Sequence, residues 1–126
     1  MPLMTVREER WPLASAFVIS RGAKTEARVV VVELGDGAHL GRGEAVPYPR
    51  YGETVEGVLD EIEALRNRVG SGLDRIALQA ALPPGAARNA LDCALWDLEA
   101  KRSGVRAWAS AGLPRLDPVK TCYTLS

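Results

Sequence analysis

The chain of 126 residues carries 16 Lys and Arg against 16 Asp and Glu with one His, a formal net charge of zero, and 47% of it is hydrophobic. That balance fits one foldable domain burying about two-thirds of its unfolded surface, and it excludes disorder, nucleic acid and anionic membrane as leading readings, because no basic stripe or block of like charge stands out. Cys93 and Cys122 form no CxxC, no apolar run approaches the ~20 residues of a membrane helix, and Met1-Pro2-Leu3 begins no signal sequence, so a reduced cytoplasmic setting is expected.

The first third reads as strands. Leu3 to Arg10 alternate loosely, Pro12 breaks them after Trp11, and Ala16 to Ile19 resume before the polar loop Ser20 to Thr25. Glu26 to Leu34 holds Val29-Val30-Val31-Val32, the strongest β signal, since β-branched side chains fit a pleated surface. Gly35-Asp36-Gly37 closes it, and Ala38 to Val46 returns antiparallel, because Asp-Gly supplies the positive φ of a tight turn. Beyond the loop Pro47 to Gly52 the period changes from two to 3.6. Val55, Val58, Leu59, Ile62, Leu65 and Val69 share one helical stripe behind Thr54 as N-cap, and Gly70-Ser71-Gly72 ends it. Leu73 to Leu82 predicts one or two turns before Pro83-Pro84-Gly85. The best-defined helix runs from about Gly85 to Arg102, with Ala87, Ala90, Leu91, Ala94, Leu95 and Leu98 inward, Gly104 as its stop, and i,i+4 pairs Arg88 with Asp92 and Asp97 with Lys101. Trp108 to Leu113 adds a short turn, and Asp117 to Ser126 reads as a strand-like end.

Few residues nominate chemistry. The lone His39 builds no multi-histidine metal site and reads as a solvated loop residue. Gly41-Arg42-Gly43-Glu44 lacks the third glycine of a dinucleotide fingerprint, since position 46 is Val, and reads as strand and turn glycine. Asp92 and Asp97 lie about 140° apart around a helix and cannot converge. Glu44, Glu53 and Glu56 flank the aromatic loop without forming a ligand set. Both cysteines read as small packed hydrophobes rather than nucleophiles. Two loops remain, Ser20 to Thr25 and Pro47 to Gly52, each mixing cations with glycine, the second adding two tyrosines.

Trp11-Pro12-Leu13, Phe17-Val18-Ile19-Ser20-Arg21-Gly22, Gly41-Arg42-Gly43-Glu44, Pro47-Tyr48-Pro49-Arg50-Tyr51-Gly52-Glu53 and the run Ala86 to Leu98 resemble the N-terminal part of dipeptide epimerases of the enolase superfamily, the L-Ala-D/L-Glu epimerases among them. The resemblance implies an α+β fold: a three-stranded antiparallel β-meander followed by a helical bundle, as a capping domain over residues 1–115. Residues 116–126 would then start the first strand of a (β/α)₇β barrel, the remainder of which is absent. In such enzymes the barrel supplies lysines that move an α-proton and carboxylates that hold Mg²⁺ against the enolate. This sequence holds neither set, Lys120 being followed by Thr121-Cys122 rather than a second lysine. The chain is thus expected to bind no Mg²⁺ and to be inactive alone. The resemblance further implies a dipeptide substrate, the barrel as partner, a role in peptidoglycan recycling, and substrate contacts from Arg21, Lys24, Tyr48, Tyr51 and Thr124. Lys24 stands where relatives usually carry arginine; its ammonium is a point charge without the bidentate fork. The competing readings are a free-standing or self-associating interaction module, with a homo-oligomer as its form, and another racemase or cycloisomerase of the superfamily.

Overall fold

The computed structural model describes residues 2–123. Three antiparallel strands, β1 (Leu3–Ile19), β2 (Gly22–Gly35) and β3 (Leu40–Ala45), form a meander in the order β1-β2-β3. A 3-10 turn at Pro49–Tyr51 leads into α1 (Val55–Glu63), α2 (Arg66–Gly70), α3 (Arg75–Ala81), α4 (Ala86–Ser103) and α5 (Ala107–Ser110). The expected α+β meander with a helical layer is therefore present.

The valine run explains itself by facing both ways. Val30, Val32 and Leu34 point into the core with Met4, Ile62, Leu78, Leu91 and Leu98, as the two-residue period requires. Val29 and Val31 face the other side, yet are 4% and 2% exposed, because Glu9, Arg7 and Glu44 stand beside them in register. On that face Glu33 joins the meander across its strands, accepting from Arg7 on β1 at 2.9 Å and from Arg42 on β3. Those two hydrogen bonds, that from Arg7 first, hold the Glu33 carboxyl at about 2, below its ordinary 4.5.

The glycines of β3 set the distance to α4. A Cβ on Gly41 would lie 2.3 Å from the Ala94 carbonyl oxygen, and one on Gly43 would lie 1.9 Å from that of Ala90. Strand and helix backbones meet here directly, which also accounts for the alanine stripe. Polar ties reinforce the seam: Asp97 accepts from the Arg42 amide at 2.8 Å and from Lys101 at 2.7 Å, while Arg102 donates to Asp36 at 2.6 Å. Asp36 also accepts from the amides of Ala38 and His39, at 3.0 and 2.7 Å, closing the β2–β3 turn.

Several local expectations change. Pro12 does not end the first strand. It lies in β1, an edge strand where a missing N–H costs no ladder bond, and the irregularity comes just after it: between Pro12 and Phe17 β1 advances five residues while β2 advances two. The loop expected at Ser20 to Thr25 shrinks to a two-residue turn, Ser20-Arg21, with Ile19 paired to Gly22 at φ 135°; Lys24 is thus a strand residue. The single helix expected through Val69 divides at Ala64-Leu65, where the Leu65 amide donates to Ile62 at 3.0 Å in a tightened turn, and Arg66 donates to the Met4 carbonyl on β1. Arg88 donates to the Leu82 carbonyl at 3.3 Å rather than pairing with Asp92, which accepts from Gln79. Both cysteines are exposed rather than packed. Residues 115–123 hold no helix or strand; a strand takes its hydrogen bonds from a neighbour, and no described strand pairs with them.

Candidate functional site

Because β3 pairs with β2 only from Val30 to Gly35 while β1 follows β2 down to Gly22, residues 11–28 project as a two-stranded ribbon beyond the three-stranded body. The core face of β2 continues along it. Counting back from Val30 by twos brings Arg28, Glu26 and Lys24 onto that face, Arg28 half-buried and still within reach of α1 and the other two exposed. Opposite stand the Pro47 to Tyr51 turn and the start of α1. Between them opens a cleft of about 1000 Å³, lined among others by Phe17, Arg21, Lys24, Arg28, Tyr48 and Glu56.

The far wall is rigid for local reasons. Tyr48 lies between two prolines and precedes one of them, which restricts it to extended backbone, and it is found at φ −119°, ψ 114°. Its carbonyl accepts from the Tyr51 amide at 2.9 Å, and Gly52 closes the turn at φ 76°. Glu53 then reaches across to accept from the Ala86 amide at 2.7 Å, capping α4, whose own N-cap residue Gly85 has no side chain to do so. Thr54 caps α1 as expected, accepting from the Gly57 amide at 3.0 Å.

The charges of the cleft are unevenly matched. Arg28 donates to Glu8 at 2.6 Å and to Glu56 at 3.3 Å; the Arg28 bond holds the Glu8 carboxyl below its usual range, and Glu8 raises Arg28 in return. Glu26 stands 3.7 Å from Arg10, and Glu53 is occupied by α4. Among the described residues neither Arg21 nor Lys24 forms a salt bridge, so the open cations face the cleft. The Lys24 Nζ lies 5.4 Å from the centre of the Tyr48 ring, and the Tyr51 ring packs against Tyr48 at 5.7 Å with a 43° tilt. Such a site suits an anionic group beside an apolar wall.

Arg21, Lys24 and Tyr48 are therefore brought together. Tyr51 supports Tyr48 but lines an adjoining depression with Glu61 and Pro84 instead of the cleft. Thr124 lies outside the described residues. Sequence reasoning does not single out Arg28, weighs Glu56 only as a metal ligand and quotes Phe17 only within a motif, whereas all three line the cleft; the signal that finds Arg28 is its two-residue offset from Val30. Cys93 shows no sign of activation, since desolvation and then the neighbouring Asp92 push its thiol up. Among the described residues no group of three or more His, Cys, Asp or Glu is placed to hold a metal ion, so these side chains do not fit Mg²⁺. No helix is long and apolar enough to cross a membrane among them.

Residues 2–109 match the family model of the mandelate racemase / muconate lactonizing enzyme N-terminal domain. The chain is 55% identical over 125 residues to the L-Ala-D/L-Glu epimerase of Escherichia coli K12, covering 99% of this chain but 39% of the relative. It is 43% identical over 77 residues to an N-acetyl-D-glutamate racemase of a Pseudoalteromonas species, covering 60% of this chain and 24% of that protein. Among solved structures it superposes with a TM-score of 0.85 and 53% identity on an enolase family member from Agrobacterium tumefaciens with homology to dipeptide epimerases, holding sodium, L-Ala-L-Glu and an ordered loop; 90% of this chain and 35% of that one are covered. The chain thus spans about two-fifths of the curated relative that it matches over nearly its whole length.

Proposed function

From its membership of the mandelate racemase / muconate lactonizing enzyme N-terminal domain family, we propose that this chain is the substrate-specificity lid of a dipeptide epimerase and is catalytically silent alone. The observation that carries this reading is the cleft itself, where Lys24 and Arg21 stand without an ion-pair partner beside Tyr48. The named relatives share a chemistry: L-Ala-Glu and N-acetyl-glutamate are both glutamates acylated on nitrogen. The substrate class is accordingly an N-acylated acidic amino acid, a dipeptide ending in Glu foremost.

In this reading the chain's residues bind and enclose. Lys24 and Arg21 attract the substrate carboxylate, and Tyr48 and Phe17 exclude water from the apolar side. Inversion at the α-carbon by proton abstraction through an enolate, with its Mg²⁺, belongs to the barrel that the lid would cover. The described residues offer that metal no donor set, and their role stops at binding. A cytoplasmic place and service in peptidoglycan recycling go with the same reading.

The test replaces the matching N-terminal stretch of the E. coli relative with this chain. The chimera is expected to epimerise L-Ala-L-Glu with Mg²⁺, and Lys24→Met within it to raise KM roughly tenfold by removing a charged hydrogen bond. The 126-residue chain alone is expected to exchange no α-proton of L-Ala-L-Glu with D₂O. A folded but inert chimera, or exchange by the lone chain, sinks the proposal.

A further inference from the structure

We propose that Tyr48 is a positioning residue: its ring face fixes where the Lys24 ammonium stands, and so supplies from a second element the rigidity that a lysine lacks. This deepens the reading of Lys24 as the cation for a substrate carboxylate, and rests on it. An ammonium on a four-carbon stem is a mobile point charge, whereas a guanidinium carries its geometry with it. On the exposed end of the ribbon, Lys24 has Phe17 across the strand and no salt bridge among the described residues to hold it. What it has is Tyr48, 5.4 Å from ammonium to ring centre, within the range over which a ring's negative face attracts a cation.

Tyr48 is suited to the task because its backbone is held between two prolines. Pro47 is buried and Pro49 begins the 3-10 turn, leaving Tyr48 little backbone freedom. The Tyr51 ring packs against it, centroid to centroid 5.7 Å. Glu53, in the same turn, is bonded to the first amide of α4 at 2.7 Å. The ring is therefore referenced to the body of the fold, and the cation on the ribbon is referenced to the ring. Both partners line the cleft, one on the ribbon and one on the turn, so the contact that places the charge also links those two elements. A carboxylate entering the cleft meets a cation already in place.

The experiment has two arms. In the 126-residue chain, NMR should find the Lys24 ε-methylene protons shifted upfield of those of Lys120 by the Tyr48 ring current. The shift should persist in Tyr48→Phe and vanish in Tyr48→Leu, with the amide signals of core residues such as Leu91 unmoved. In the chimera with the E. coli relative, Tyr48→Leu should raise KM for L-Ala-L-Glu about two- to fivefold at constant kcat. Tyr48→Phe should restore the low KM, and Tyr48→Leu should raise the KM of an uncharged dipeptide less than that of L-Ala-L-Glu. An unshifted Lys24, or a shift that survives Tyr48→Leu, overturns the positioning role. So does an equal rise in KM for Tyr48→Phe and Tyr48→Leu. If instead the ring shift behaves as stated and Lys24→Met leaves KM unchanged, the carboxylate-binding reading fails and this role falls with it.

Discussion

The body and the ribbon share two strands and are built on opposite rules. In the body, the valines of β2 are covered on both faces, and β3 lies so close to α4 that two glycines are obligatory. Along the ribbon the same strands carry Val18 and Ile19 at 62% and 40% exposure, with Lys24 and Arg21 open. One sheet thus supplies its own anchor and its own reach. Where packing is dense the sequence has no freedom, and where the helices stop it is free to carry charge.

Substitution should expose that asymmetry most strongly at Gly43. Gly43→Ala forces a Cβ against the Ala90 backbone carbonyl and is expected to cost about 3 kcal/mol, read as a lower urea midpoint. Val18→Ala on the ribbon should stay within about 0.5 kcal/mol; an equal loss at both sites would erase the distinction. A smaller effect tests the link between the two regions. Glu53→Ala removes the carboxylate that caps α4 from the cleft turn and should cost about 1 kcal/mol, while also weakening L-Ala-L-Glu binding in the chimera because the turn bearing Tyr48 loosens.

The mildest probe is acid. Glu33 titrates at about 2 in the fold against an ordinary 4.5, so its contribution is fully present above the ordinary value and is lost as pH falls from there through about 2. Asp36, bonded by Arg102, is lowered as well and acts in the same direction. Urea midpoints measured from pH 6 down to 2 should therefore decline chiefly below 4.5, and Glu33→Gln should flatten the decline. Both groups belong to the body, since Glu33 ties β1 to β3 and Asp36 ties the β2–β3 turn to α4.

Elements with strong local periodicity were readable in advance. The α4 stripe, the N-cap at Thr54 and the β2 valine run all follow from residues a few positions apart, and each stands where spacing placed it. The boundaries that moved depend on distant partners. Pro12 stays within β1 because β1 is an edge strand, where a residue without an N–H is tolerated, and the Ser20 to Thr25 loop tightens because Phe17 and Val18 continue pairing with Lys24 and Ala23. For the site, Lys24 and Tyr48 were nominated by resemblance, but no local pattern places an ammonium over that ring. Glu53 capping a helix 33 residues away lies equally beyond any window of neighbours.

The irregularity after Pro12 carries a consequence for how the molecule behaves in company. β1 is 17 residues long and lies at the margin of the sheet, offering its outer row of amides and carbonyls to any extended chain that drifts past. Long flat margins of this kind seed aggregates. Here Arg66 already occupies the Met4 carbonyl, the Arg7-Glu8-Glu9-Arg10 run coats the middle in charge, Pro12 withholds a donor, and the surplus residues before Phe17 throw the remaining stretch out of line. Each of these features works against a second strand pairing along this margin in register.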